Sequence, residues 1–262
     1  MKVLTIANQK GGVAKTTTTG ALASALSRLG YRVLAIDMDP QSNLTENCGV
    51  NKNINGSYAA LINLKIRDNV VTNKLNHLYD VLPGDTSLSA VKAEMERTIP
   101  MGREERLKIA IREEKLEELY DFVIIDTPPT MDLLTINAVL AADYVIIPAM
   151  ADINATKGVD MLKTNLIDNA NKYFHSDIKI AGILLTRFDP RLNVSKAVKE
   201  MTEMLAEKLE TRVFKTFIRS CVVAPESNYV AMDIFDYRPD STIAKDYNEF
   251  AKELLEVIAD GR

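Results

Sequence analysis

The run Lys10-Gly11-Gly12-Val13-Ala14-Lys15-Thr16-Thr17 gathers lysines, glycines and hydroxyls into one short stretch. Glycines let a backbone turn so that its N–H groups converge on an anion, and a lysine adds a full positive charge. A hydroxyl directly after that lysine, here Thr16, is placed to ligate Mg²⁺. The chemistry this combination supports is a phosphate cradle built from Lys10, Gly11, Gly12, Val13, Ala14, Lys15, Thr16 and Thr17. Acids of the right kind occur in two later places, Asp37-Met38-Asp39-Pro40-Gln41 and the end of Phe122-Val123-Ile124-Ile125-Asp126. Carboxylates at strand ends beside a phosphate loop can hold a metal or orient a water. More ordinary readings exist for the same residues. A glycine-rich run also makes a plain strand-to-helix turn, and Asp-Pro-Gln also starts helices as an N-cap.

The elements needed to position these groups are present in the right order. Residues 2–7 form a short apolar, β-branched run that reads as a buried strand, and residues 18–29 carry Ala and Leu at helical spacing up to Gly30. Further strands are expected at 32–37, 79–82, 122–126, 144–148, 180–185 and 212–218. Helices are expected at 57–62 with Ser57 as cap, across 87–118 with a break near Pro100-Met101-Gly102, at 133–142 capped by Asp132, and at 155–173, 194–209 and 241–258, the last capped by Ser241. Residues 51–56 read as loop. Strands alternating with helices imply an α/β fold, a mostly parallel twisted sheet with helices on both faces. No linker or low-complexity stretch divides the 262 residues, so a single domain over 1–262 is expected.

Composition narrows the function classes. No apolar run approaches the ~20 residues of a membrane span, and the chain enters a strand at once, which argues against a signal peptide. Cys48 and Cys221 are isolated, which fits a reducing compartment and excludes a CxxC metal site; His77 and His175 are too far apart to suggest a metal cluster. Net charge is −4, so any contact with nucleic acid must use a local patch.

The phosphate-loop pattern departs from GxxxxGK[ST], which wants glycine where this chain has Gln9 and Ala14, and instead places a lysine before the Gly-Gly pair. This is the deviant Walker A pattern KGGxxK[ST]. On it, the chain resembles the ParA/MinD superfamily of P-loop ATPases, most closely the short ParA partition ATPases, over nearly its whole length. The resemblance implies ATP and Mg²⁺ as cofactors. It implies that Lys15 holds phosphates in its own subunit, while Lys10 reaches across a nucleotide-sandwich homodimer to the partner's phosphates. Asp39 then stands beside the attacking water and the metal, Asp37 supports that shell, Asp126 is the Walker B acid and Thr127-Pro128-Pro129 is a switch segment. Ala14 stands where the family has glycine; being small, it is expected to allow nucleotide binding if its φ stays negative.

Outputs in this superfamily differ. The C-terminal segment 249–258 alternates in charge and lacks the basic amphipathic character of a membrane tail. The chain has no paired cluster cysteines near the switches, no C-terminal tyrosine cluster and no N-terminal helix-turn-helix. The expected function is therefore a slow, partner-stimulated ATPase of DNA partition, cytoplasmic and nucleoid-associated, whose ATP dimer binds DNA without sequence preference until a ParB-like adaptor stimulates hydrolysis. Relatives carry an Ile-Pro-Arg-Asn-Val-Arg segment that serves the base pocket and DNA binding. Here the stretch is Ile218-Arg219-Ser220-Cys221-Val222-Val223, which leaves Ile218 and Arg219 as nucleotide-site candidates. Arg191, Lys196, Lys199, Lys215 and Arg219 are candidates for a substitute DNA patch, and read equally as scattered solubility charges. The alternative function is a nucleotide-switched regulator whose dimer binds a protein partner rather than DNA.

Overall fold

The computed structural model describes residues 1–51, 56–72, 79–150, 152 and 155–260. Its strands are β1 (Lys2–Ile6), β2 (Val33–Asp37), β3 (Val71–Thr72), β4 (Asp80–Leu82), β5 (Phe122–Asp126), β6 (Tyr144–Met150), β7 (Lys179–Phe188) and β8 (Ile218–Arg219). They form an eight-stranded sheet in the order β3-β4-β2-β5-β1-β6-β7-β8. Every neighbouring pair is parallel except β3 with β4 at one edge. Each of β2 and β5 is buried at all of its positions, as a central parallel strand covered by helices must be.

The helices are α1 (Lys15–Arg28), α2 (Asn43–Asn47), α3 (Gly56–Asn63), α4 (Val91–Thr98), α5 (Arg106–Glu113), α6 (Leu133–Leu140), α7 (Ala155–Leu162), α8 (Asp168–Tyr173), α9 (Asn193–Lys208), α10 (Val223–Tyr229), α11 (Ile234–Tyr237) and α12 (Thr242–Ala259). Successive strand residues point to opposite faces. Leu4 and Ile6 pack with Leu22 and Leu26 of α1 and Tyr247 and Phe250 of α12. Val3, Leu34 and Ile36 pack on the other face with Leu61, Met95 and Leu107, and Val145 and Ile147 pack with Val159, Leu162 and Val198. The mostly parallel sheet with a helical layer on each face is the architecture the strand–helix rhythm predicts.

Expected caps are present at Asp132, whose carboxylate accepts from Leu134 N and Thr135 N, and at Ser241, whose hydroxyl accepts from Ala244 N. The helical stretch 87–118 does break at the proline–glycine pair, between α4 and α5. Elsewhere the structure departs from the local sequence pattern. Ser57 lies inside α3 rather than capping it, because its hydroxyl donates to Asp37 O at 2.7 Å. Helix α1 begins at Lys15, earlier than the alanine–leucine spacing marks. The helix over 155–173 is interrupted by a π-helical turn at Lys163–Ile167. The expected strand over 212–218 shrinks to a bridge at Val213 and the two residues of β8. In between, Lys215 N and Thr216 N donate to the Glu253 carboxylate, at 2.7 and 2.8 Å, instead of to the sheet. Most of the 51–56 loop, and His77, lie outside the described residues.

Candidate functional site

Strand β1 sits between β5 and β6, while its own helix α1 leads on to β2 beyond β5. Strand order therefore reverses around β1, and in such sheets ligands bind in the crevice at the carboxyl ends of the strands. A cavity of about 640 Å³ opens there, within the usual volume of a small-molecule site. It is lined by Gly11, Gly12, Ala14, Lys15, Thr16, Thr17 and Asp39 from the first two strand-end loops, and by Thr186, Arg187, Ile218, Arg219, Cys221, Asn228 and Tyr247 from later in the chain.

The loop 10–14 is open on its cavity side: a Cβ built on Gly11 or Gly12 would meet nothing within 4 Å. Gly12 has φ +75°, as the turn demands. Ala14 has φ 67° and ψ 32°, so the condition of a negative φ is not met. The chain must swing through the left-handed region at 14 to enter α1 at Lys15, and an L-residue there costs about 1–2 kcal/mol. Ala14→Gly relieves this strain, partly offset by the larger unfolded-state freedom of glycine. The expected outcome is a melting temperature raised by about 2 °C, measured by calorimetry, for a net gain near 0.5–1 kcal/mol. An unchanged or lower melting temperature would show that the loop carries no strain at 14.

Lys15 is 7% exposed. Burial lowers its pKa, while the carboxylates of Asp126 and Asp39 pull it back up. Asp37 and Asp126 end adjacent strands and face each other in register. Burial raises the pKa of Asp126, and the Asp37 charge adds to the rise. Asp126 Oδ1 accepts from the Thr19 hydroxyl at 3.4 Å, and Oδ2 is a buried acceptor with no protein donor. Asp37 is also raised by burial, but Thr45 opposes this by donating both its hydroxyl (2.7 Å) and its backbone N–H (2.9 Å) to Oδ2. Asp37 Oδ1 accepts from Asp39 N at 3.1 Å, which fixes the turn that carries Asp39. The β4 loop closes on this turn: a Cβ on Gly84 would lie 2.8 Å from Asp37 O, so only glycine permits the approach. Asp39 does not cap a helix. Its Oδ1 accepts from Gln41 N at 2.9 Å, Ser42 precedes α2, and Asp39 lines the cavity.

An orphaned buried carboxylate oxygen, the Thr16 hydroxyl on the cavity wall and Asp39 form a hard oxygen set of the kind Mg²⁺ takes. The fit to a metal–phosphate pair is good, because a cation satisfies Asp126 while the loop and Lys15 receive the anion.

Lys10 is not on the cavity wall. Its ammonium pairs with Asp152 after β6, and its N–H donates to Asn8 Oδ1 at 3.0 Å. Asn8 in turn donates to Pro148 O at 2.7 Å. Val13 is buried and offers its carbonyl to the Thr186 hydroxyl. Ile218 and Arg219 do reach the cavity, but Arg219 is clamped on Asp246, with Nη2 to Oδ1 at 2.5 Å. Among the other candidate cations, Arg191 forks onto Asp189 and Lys199 lies 3.7 Å from Glu203. Lys196 stands on α9 and Lys215 precedes β8, and neither side chain makes an ion pair among the described residues. Cys48 and Cys221 are both free; burial pushes the Cys48 thiol up to about 12, and Cys221 is half-buried on the cavity wall. Arg187, Asn228 and Tyr247 were not singled out in the sequence. For Arg187 the strand-end rule was the available signal; α10, which brings Asn228, was hidden by its short and mixed composition.

A family model described as an AAA domain (AAA_31) matches residues 1–180. The sporulation initiation inhibitor protein Soj of Bacillus subtilis is 36% identical over 257 residues, covering 97% of this chain and 98% of Soj. The chain belongs to the ParA/MinD superfamily. A chromosome partitioning protein ParA, from Myxococcus xanthus, is 37% identical over 257 residues, covering 97% of this chain and 88% of that one. Among solved structures, a protein described as cobyrinic acid a,c-diamide synthase from Mycobacterium smegmatis, with bound ATP analogue and magnesium, superposes with TM-score 0.81 at 31% identity, covering 100% of this chain and 97% of that one. The glycine loop and the strand-end acids stand together at the carboxyl edge of the sheet.

Proposed function

We propose that this chain, as a single ATPase domain, is a DNA-partition ATPase that hydrolyses Mg-ATP slowly. The observation that carries the reading is an open glycine loop on the cavity wall, with buried Lys15 standing against a buried Asp126 whose Oδ2 has no protein donor. The similarity to Soj and ParA over nearly full length supports the partition role, and the bound ATP analogue and magnesium of the mycobacterial structure support the cofactors. Thr16, Asp126 and Asp39 would hold magnesium. Bound there, magnesium supplies neutralisation of charge across the phosphate oxygens. The loop N–H groups and Lys15 grip the phosphates, and Asp39 orients the attacking water toward the γ-phosphate.

ATP also closes a homodimer. Lys10 lies outside its own cavity wall, where a cation that serves another subunit's phosphates has to be. Its pair with Asp152 has side chains 32% and 36% exposed, so it is screened, contributes less than about 1 kcal/mol, and exchanges readily for phosphate. Dimerisation then reports the γ-phosphate, and hydrolysis reverses it. The dimer binds DNA non-specifically, a ParB-like adaptor stimulates turnover, and the protein works in the cytoplasm on the nucleoid. No described helix is long and apolar enough to cross a membrane.

Light scattering with a non-hydrolysable ATP analogue tests the switch. Lys10→Ala is expected to bind nucleotide with near wild-type affinity and to remain a monomer. A full ATP dimer of this variant would remove Lys10 from the interface. A second reading, a dimer that engages a protein partner and not DNA, is favoured by the ion pairs that neutralise Arg191, Lys199 and Arg219.

A further inference from the structure

The inner face of α9, with Ser195, Val198, Thr202 and Ala206, is buried, and Val198 and Ala206 pack with Val159 and Leu162 of α7. The outer face is not uniformly polar. Val194, Ala197, Met201 and Met204 recur at spacings of three and four, which is the seam spacing of a helix pair. All four are exposed, Val194 by 50%, Met201 by 48% and Met204 by 72%. Side chains so spaced lie next to one another along a helix, and a contiguous exposed apolar patch, unlike a single exposed residue, marks a contact surface. No residue of α9 lines the cavity, so the stripe has no part in the site described above.

The charges beside the stripe decide what fits it. Lys196 lies toward the N-terminal end of the outer face, and Glu200, Glu203 and Glu207 lie toward its C-terminal end. Lys196, Glu200 and Glu207 make no ion pair among the described residues. Glu203 meets Lys199 at 3.7 Å on the surface, a pair that water and salt screen. Turned end for end, this face complements itself. In an antiparallel pair centred near residue 199, Val194 lies opposite Met204 of a second copy and Ala197 opposite Met201, so that small and long side chains interdigitate. The same register sets Lys196 against Glu203 of the second copy, and the two-fold axis repeats the contact. A partner helix of one charge sign would meet a like charge at one end of the face.

We propose that the outer face of α9 is a self-association surface, at which two copies of this chain pair α9 against α9 in antiparallel fashion. One stripe of four side chains buries less than the roughly 1,200 Å² of a stable free-standing dimer, so the contact is weak and acts between molecules already held close. The stripe stands apart from the cavity, so on the dimer proposed above it links one ATP dimer to the next. That last step rests on the ATP dimer; the α9 pairing itself does not.

Sedimentation equilibrium without nucleotide, up to about 1 mM chain, tests this. Wild type is expected to associate reversibly to a dimer at the top of that range. Met204→Glu is expected to weaken the association by roughly tenfold or more and to leave Mg-ATP turnover unchanged. Lys196→Glu is expected to weaken it too, and Lys196→Glu combined with Glu203→Lys to restore it. Wild type that stays monomeric at the highest concentration overturns the proposal, as does a Met204→Glu variant that associates like wild type. A double variant no stronger than Lys196→Glu alone overturns the antiparallel pairing. With a non-hydrolysable ATP analogue, wild type is expected to grow beyond the dimer and Met204→Glu to stop at it. If the analogue closes no dimer in either protein, the nucleotide switch fails, and the nucleotide-free series still decides the α9 contact.

Discussion

Asp39→Ala is expected to bind ATP within about threefold of wild type and to lose roughly 10²–10⁴-fold in kcat, the range of a positioned acid–base group. Asp39 is 7% exposed and lines the cavity. Its backbone is tied to Asp37, and its Oδ1 is spent on Gln41 N. Oδ2 has no hydrogen-bond partner among the described residues and is the oxygen left for a water. Since the turn is held by Asp37, Thr45 and Gly84 rather than by the Asp39 side chain alone, removing the carboxylate should leave the fold and the phosphate grip intact. Deleting a negative charge beside a polyphosphate should, if anything, favour binding. The consequence is an ATP dimer that persists because it cannot hydrolyse. Phosphate release within about threefold of wild type would remove Asp39 from the chemistry.

Lys15→Ala is expected to weaken Mg-ATP by more than about 100-fold, measured by calorimetry. Lys15 is the buried cation that stands against Asp126 and Asp39. Without it, the Asp39 carboxylate on the cavity wall is left unopposed against the polyphosphate that the loop amides attract. The apo fold has a way to compensate, because burial already favours the neutral forms of Asp37 and Asp126. Loss of binding with a melting temperature within a few degrees of wild type would therefore locate the defect at the ligand. Retained ATP affinity would displace Lys15 from the phosphate site.

Much of this site was legible in the sequence because its parts obey strong local rules. Strands β2 and β5 are buried at every position, so they read as apolar runs, and the acids at their ends land at the carboxyl edge of the sheet beside the loop. The caps at Asp132 and Ser241 are equally local. What escaped depends on distant partners or on backbone angles. No residue near Lys215 announces that Glu253 will take its N–H away from the sheet. A small residue at 14 does not reveal a φ of 67°, and Arg187 looks like an ordinary strand residue until the register with β8 slips. The Ser57 hydroxyl left its cap position because Asp37 O, from another strand, was the better acceptor. The Asp152 pair with Lys10 joins residues 142 apart in sequence, beyond the reach of any motif.

On the proposed function, ATP turns this chain into a DNA-binding dimer. The most direct measurement is binding to a random-sequence duplex with ATP, with ADP and without nucleotide, from about 50 to about 300 mM salt. Binding is expected with ATP only, with an affinity that falls steeply and log-linearly with salt, because the protein's cations release counterions from the phosphates on binding. An ATP dimer that forms fully yet binds no duplex even at the lowest salt would contradict it.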